Sequence, residues 1–221
     1  GIFHSQEEID NYTHTNADGT KQLIQPKAVP GDVKFVDLDG SGAIDEKDLT
    51  YLGSYMPNFS GGLNLGLEYK NFFISIFSDF VYGNQIANLN NYELRSGLGT
   101  NILQSYYDNR WTPETPNNTE PRLTANPGDN VKFSDLYIED GSFFRIRNLQ
   151  FGYDFPRTWM QKIKINKARL YISIDNLCTF TKYTGYNPDI ADQYGDPLKA
   201  GGDTGSALLP RTISFGLNLN F

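Results

Sequence analysis

The closing stretch RTISFGLNLNF puts Ile213, Phe215, Leu217, Leu219 and Phe221 on one side of an extended chain, with Ser214, Gly216, Asn218 and Asn220 on the other. Successive side chains of a strand point to opposite faces, so strict period two over this length predicts a strand with one face in an apolar medium. The pattern recurs four times upstream. GGLNLGLEYK sets Leu63, Leu65, Leu67 and Tyr69 against Asn64, Gly66, Glu68 and Lys70. NFFISIFSDFVYG sets Ile74, Ile76, Phe80 and Tyr82 against Phe73, Ser75, Phe77 and Asp79. FFRIRNLQFGYDF ends with Leu149, Phe151, Tyr153 and Phe155 opposite Asn148, Gln150, Gly152 and Asp154. ARLYISIDNL offers Leu170, Ile172 and Ile174 against Tyr171, Ser173 and Asp175.

These faces suit either of two all-β architectures. Long strands with one apolar face, aromatics near their ends and small polar residues opposite describe an outer-membrane barrel wall. A secreted β-sandwich alternates in a similar way. The connections favour the barrel. The links at Tyr69–Phe72 and through PRTWMQKIKINK are short, whereas Gln85 to Gly141 and Thr181 to Pro210 are long. Short and long links alternate, as short periplasmic turns and long extracellular loops do. With the short turns periplasmic, the fifth strand runs down and Phe221 reaches the periplasmic rim. Five strands cannot close a barrel, and an open sheet edge in lipid leaves backbone groups unpaired. The remaining wall is expected from sequence N-terminal to Gly1. The opening GIFHSQEEID has neither an initiator Met nor a signal peptide, which fits a processed chain or part of a longer protein.

Several function classes are disfavoured. A formal charge of −7 is the wrong sign for a nucleic-acid-binding surface. The single cysteine, Cys178, excludes an internal disulfide or a CxxC site and reads as a small apolar residue on a strand. No run of 18 apolar residues offers a membrane helix. Glu139 and Asp140 are adjacent carboxylates, but strand neighbours face opposite ways, which is wrong for an acid/base pair. His4 and His14 have no nucleophile motif nearby, and there is no phosphate loop or zinc spacing. No catalytic residue is assigned.

One motif does carry metal chemistry. DLDGSGAIDEKD, residues 37–48, has the ligand spacing of an EF-hand loop: Asp37, Asp39, Ser41, the Ala43 carbonyl, Asp45 and Asp48, with Gly42 at the sharp turn. Calcium favours such oxygen ligands, although Asp48 stands where a longer Glu is usual. The flanking helices of a sensor are missing, so the expected role is a structural calcium staple in an extracellular loop. The alternative is a solvated acidic turn. Tyr106, Tyr107, Trp111, Tyr137, Tyr183, Tyr186 and Tyr194 stud the long links. They suit sugar stacking, a protein interface, or packing of the loops on themselves.

In order along the chain, GIFHSQEEID, PGDVKFVDLDGSGAID, NRWTPETPN with PRL, YIEDGSFFRIRNLQFGYDFP, LYISIDNLCTFTKYTGYNPDI and LPRTISFGLNLNF resemble blocks at the C-terminal end of the SusC/RagA-like TonB-dependent outer-membrane transporters of Bacteroidetes. Departures are Leu38-Asp39, where Asn is common, and Cys178, where Leu or Phe is usual. The alternating strand ending at Phe221 also resembles the C-terminal signal read by outer-membrane assembly machinery. The resemblance implies an about 22-stranded antiparallel barrel with an N-terminal plug, of which this chain is roughly the last fifth. It implies import of oligosaccharides or peptides, a SusD-like surface lipoprotein as lid, and TonB engaging the plug, outside these residues. On this basis residues 1–60 form an extracellular region holding the calcium loop, and 61–221 the C-terminal strands and loops. The other function considered is a secreted, calcium-braced β-sandwich that binds glycans.

Overall fold

A computed structural model describes residues 1–96, 101–116, 119–190 and 200–221. The chain divides into two compact units, Gly1–Leu52 with Leu89–Tyr137, and Gly53–Asn88 with Ile138–Phe221.

The first unit is mostly irregular. Helix α1 (Gln6–Asn11) starts on Ser5, whose hydroxyl accepts from the Glu8 N–H at 3.2 Å. A small hairpin follows, β1 (Thr13–Thr15) paired with β2 (Lys21–Leu23). The later part supplies α2 (Leu89–Ser96) and α3 (Gln104–Asn109). Its small core gathers Phe3, Ile9, Tyr106 and Tyr137 around buried polar groups. Asp32 holds Arg122 Nε at 2.5 Å and Asn130 Nδ2 at 2.9 Å, tying segments about ninety residues apart. Arg95 pairs with Glu120 at 2.5 Å; burial pushes the Glu120 carboxyl up, against the pull of Arg95.

The second unit is built on long strands: β3 (Phe59–Tyr69), β4 (Phe72–Tyr82), β7 (Phe143–Asp154), β8 (Lys167–Thr181) and β10 (Thr212–Asn220). They form one antiparallel sheet in the order β10-β8-β7-β4-β3. Each strand pairs with the next long strand in the chain, as in an up-and-down meander. A three-stranded sheet joins β5 (Gln85–Asn88), β6 (Ile138–Asp140) and β9 (Gly202–Asp203), with β9 parallel to β5. Strands β5, β6 and β9 and the helices α2 and α3 occupy links that the sequence pattern leaves featureless, because pieces this short show no period.

Register aligns the apolar residues into rows across the sheet. Leu217, Leu170, Tyr153, Phe72 and Tyr69 share one row, Phe215, Ile172, Phe151, Ile74 and Leu67 the next, and Ile213, Ile174, Leu149, Ile76 and Leu65 a third. This face is bare: Leu67 is 70% exposed and Phe215 79%. A sandwich would cover it with a second sheet, so the sandwich alternative fails here.

A bulge interrupts the pattern two-thirds of the way along. The β4–β7 register shifts after Phe77/Ser78, and the β7–β8 register shifts between Ile146 and Asn148. Asn176 sits there at φ +51, a left-handed conformation that Asn tolerates better than most residues. Beyond the bulge the apolar rows resume with Cys178, Ile146, Ser78 and Leu63, then Phe180, Phe144, Phe80 and Gly61.

Both short links leave the same end of the sheet. One is the two-residue turn Lys70-Asn71, with Lys70 at φ +55. The other holds α4 (Arg157–Met160) and a 3-10 turn closing on Lys164 at φ +60. The long links, 83–142 and 182–211, leave the opposite end. No helix among the described residues is long and apolar enough to cross a membrane.

Candidate functional site

The face opposite the apolar rows carries the chain's most ordered polar chemistry. Arg145 points into it from β7 and is 1% exposed. Its Nε donates to Thr179 Oγ1 at 3.0 Å, its Nη2 to Asn187 Oδ1 at 2.7 Å and its Nη1 to Asp189 Oδ2 at 3.3 Å. Its guanidinium also lies 4.9 Å from the centre of the Phe143 ring. Arg147 stands at the bulge, where its Nη2 donates to Asp79 Oδ2 at 2.9 Å and to Asp189 Oδ2 at 2.8 Å. The other oxygen of Asp79, Oδ1, is buried and has no hydrogen-bond partner among the described residues. Beside them Asn148 donates to Ser173 Oγ and Asp175 Oδ1, at 2.8 and 2.7 Å. Two planar cations thus clasp the start of the 182–211 link against the wall. A buried guanidinium is tolerated only when it is paired this fully.

Sequence reading missed both arginines. In FFRIRNL they alternate with apolar residues and look like ordinary solvated positions. Their partners Asn187 and Asp189 lie 42 residues or more further on. The only local signal is two arginines on one strand with no acidic neighbour.

The same link is anchored again at the small sheet. Tyr183, 5% exposed, donates its hydroxyl to Asp203 Oδ2 at 2.5 Å. Asp203 Oδ1 accepts from the Gly205 and Ser206 N–H groups and from Ser206 Oγ. Burial works against the Asp203 charge, but these four donors prevail and hold its carboxyl below the usual range. Burial and the adjacent carboxylate push the Tyr183 hydroxyl up. Glu139 accepts from the Thr184 N–H and hydroxyl, both at 2.8 Å, and from Asn88. Its neighbour Asp140 accepts from the Ser142 N–H, so the two carboxylates do separate structural work.

The acidic loop belongs to the first unit. Asp37, Asp39 and Asp48 bring one carboxylate oxygen each to within 4.8 Å of the others. Asp37 Oδ1 accepts from the Gly40 and Ser41 N–H groups and Oδ2 from Gly42. Hydrogen bonds from the Ser41 side chain and backbone lower the Asp39 carboxyl; the Asp45 and Leu38 N–H groups lower that of Asp48. The other three positions act differently. Asp45 caps the 3-10 turn Glu46–Asp48 by accepting from the Lys47 N–H, and the Ser41 hydroxyl also lies 3.3 Å from the Ala43 carbonyl. Gly42, at φ +85, lets the turn press against β1, where a Cβ would meet the His14 ring at 2.8 Å. The donor set, three converging carboxylates in a glycine-turned loop, fits a hard divalent cation.

Of the aromatics on the long links, Tyr106, Trp111, Tyr137 and Tyr183 are buried and pack the loops. Burial, with Glu120 nearby, raises the Tyr106 hydroxyl to about 12. Tyr107 and Tyr186 are exposed, and Tyr194 lies outside the described residues.

The sequence is 32% identical over 225 residues to TonB-dependent receptor P3 of Formosa agariphila, matching all of this chain and 22% of that protein. It is 28% identical over 209 residues to TonB-dependent receptor SusC of Bacteroides thetaiotaomicron, across 91% of this chain and 19% of that one. The chain is homologous to the SusC-like TonB-dependent receptors. It spans about a fifth of the length of these curated relatives. Among solved structures, the RagAB peptide transporter superposes with a TM-score of 0.68 over 94% of this chain and 20% of that chain, at 22% identity. That likeness shows the fold: the five-stranded sheet is a section of a β-barrel wall. No protein-family profile matches the sequence.

Proposed function

We propose that this chain is the C-terminal wall and loop portion of an outer-membrane importer for oligosaccharides or peptides, powered through TonB and covered by a SusD-like surface lipoprotein. The observation that carries the reading is the two-faced sheet. One face is a bare apolar surface, and the other holds the paired arginines and small polar groups expected of a lumen. Aromatics bound the apolar face at both ends, with Tyr69, Phe72 and Tyr153 near the short turns and Phe59, Phe80, Tyr82, Phe144 and Phe180 near the long links. The 11 residues of β3 cover roughly 35 Å of strand and, at a tilt of roughly 40°, about 27 Å of height, close to an outer-membrane apolar band. The short turns then face the periplasm, and the long links, with residues 1–60, lie outside the cell.

In this arrangement the Arg145–Arg147 clasp holds an extracellular loop over the lumen, where it helps to shape the substrate cavity. The role is transport and not catalysis. Calcium bound by Asp37, Asp39 and Asp48, with oxygens from Ser41, Ala43 and Asp45 drawn in, braces the acidic loop at the millimolar level found outside cells. Metal content of the full-length protein tests this: wild type should retain calcium and Asp37→Ala should not, whereas equal content in both overturns the brace. Transport is tested by uptake of labelled oligosaccharides and peptides in cells with and without the full-length protein. Uptake that requires both this protein and TonB supports the reading, and uptake indifferent to its loss overturns it.

A further inference from the structure

The link between β7 and β8 is one of the two short links and differs from the long ones in charge. Arg157, Lys162 and Lys164 are exposed within it and Lys167 where β8 begins, and no acidic residue occurs between Asp154 and Asp175. The other short link at this end adds Lys70, also exposed. This cluster stands out in a chain of net charge −7. Of the carboxylates at this end, Asp154 is held by Arg169 through two 2.6 Å hydrogen bonds, with Lys167 only at 3.9 Å. Arg157, Lys162 and Lys164 form no ion pair among the described residues.

Two large apolar side chains share the link with these cations. Trp159 is 58% exposed and Ile163 60% exposed. A soluble turn gains nothing from such exposure, but a turn seated in a membrane interface does. The link follows directly on the short-turn aromatic girdle, where Tyr153 and Phe155 pack edge to face at 5.3 Å. Groups just beyond that girdle sit at headgroup depth. Lys164, at φ +60, closes the turn.

We propose that this link, residues 156–167, is a binding site for anionic phospholipid headgroups of the leaflet at the short-turn end. Trp159 and Ile163 enter the interface, and Arg157, Lys162 and Lys164 engage the phosphates. The inference rests on the barrel reading above and deepens it by naming the lipid class and the residues. An acidic soluble protein would match the charge but would not account for the exposed Trp and Ile beside the girdle.

The test uses the full-length protein in bilayer discs of phosphatidylglycerol or phosphatidylcholine, with retained lipid read by native mass spectrometry. Wild type should retain phosphatidylglycerol preferentially. The Lys162→Gln/Lys164→Gln double variant should lose that preference by roughly 30-fold, about fivefold per cation near a charged surface. The charge-matched Lys21→Gln/Lys27→Gln control should keep it, and Trp159→Ala should weaken retention of both lipids. Preference should fade near 1 M salt, where the screening length falls to about 3 Å. An unchanged preference in Lys162→Gln/Lys164→Gln, an equal loss in the control, or capture of an acidic soluble protein without lipid preference overturns the proposal. A protein that fails to insert into either disc overturns the barrel reading itself, whereas insertion without lipid preference overturns only this inference.

Discussion

Arg145 shows how one buried side chain organises a loop. Its three partners come from β8 and from the link that follows it. Replacing it with Met removes all three hydrogen bonds at once. Asp189 is 41% exposed and keeps its hydrogen bond from Arg147, so the loss falls well short of that for a fully buried pair. The expected cost is about 1–3 kcal/mol, localised to the link. Hydrogen exchange should show residues 182–190 losing protection while β7 and β8 keep theirs. Tyr183 and Asp203 add a pH dependence. Because the folded Asp203 carboxyl lies below its ordinary value, its stabilisation is present above the usual carboxylate range and disappears as pH falls through the folded value. Protection of the Gly205 and Ser206 amides should therefore drop in acid in the wild type and stay flat in Asp203→Asn. Neither cluster shows in the sequence, because each joins residues distant along the chain and no period links them.

Among the elements, the long strands were fully legible and the short ones were not. All five long strands follow from alternation, since a half-buried strand must repeat every second residue. The bulge near Ile146–Asn148 escapes that logic. It shifts parity on β7, and only the left-handed Asn176 opposite marks its place. Gly152 is a second constraint that alternation hides. A Cβ there would meet the Phe73 ring at 2.2 Å and the Leu170 carbonyl at 2.7 Å, so Gly152→Ala should destabilise the sheet by about 1–3 kcal/mol. A paired substitution tests the face assignment. Phe215→Lys on the apolar face should cost about 2–4 kcal/mol, whereas Ser214→Lys on the polar face should cost little. Thermal unfolding of the full-length protein, followed by gel mobility, reads both.

At the scale of the whole molecule, the apolar rows of the second unit make sense only against lipid, and the edges β3 and β10 only against further strands. The acidic loop was legible in its spacing, and the carboxylates of Asp37, Asp39 and Asp48 converge in it. Asp45 also starts a 3-10 turn there, its side chain accepting from the Lys47 N–H. The central claim is that alternate residues of one strand face lipid and lumen. Single cysteines placed along β10 in the full-length protein, with Cys178 replaced by Ser and in native membranes, test it most directly with a water-soluble maleimide. Positions 214, 218 and 220 should label and positions 213, 215 and 217 should resist, with the pattern reversed for a lipid-soluble reagent. Uniform labelling of all six positions by the water-soluble reagent would contradict the account.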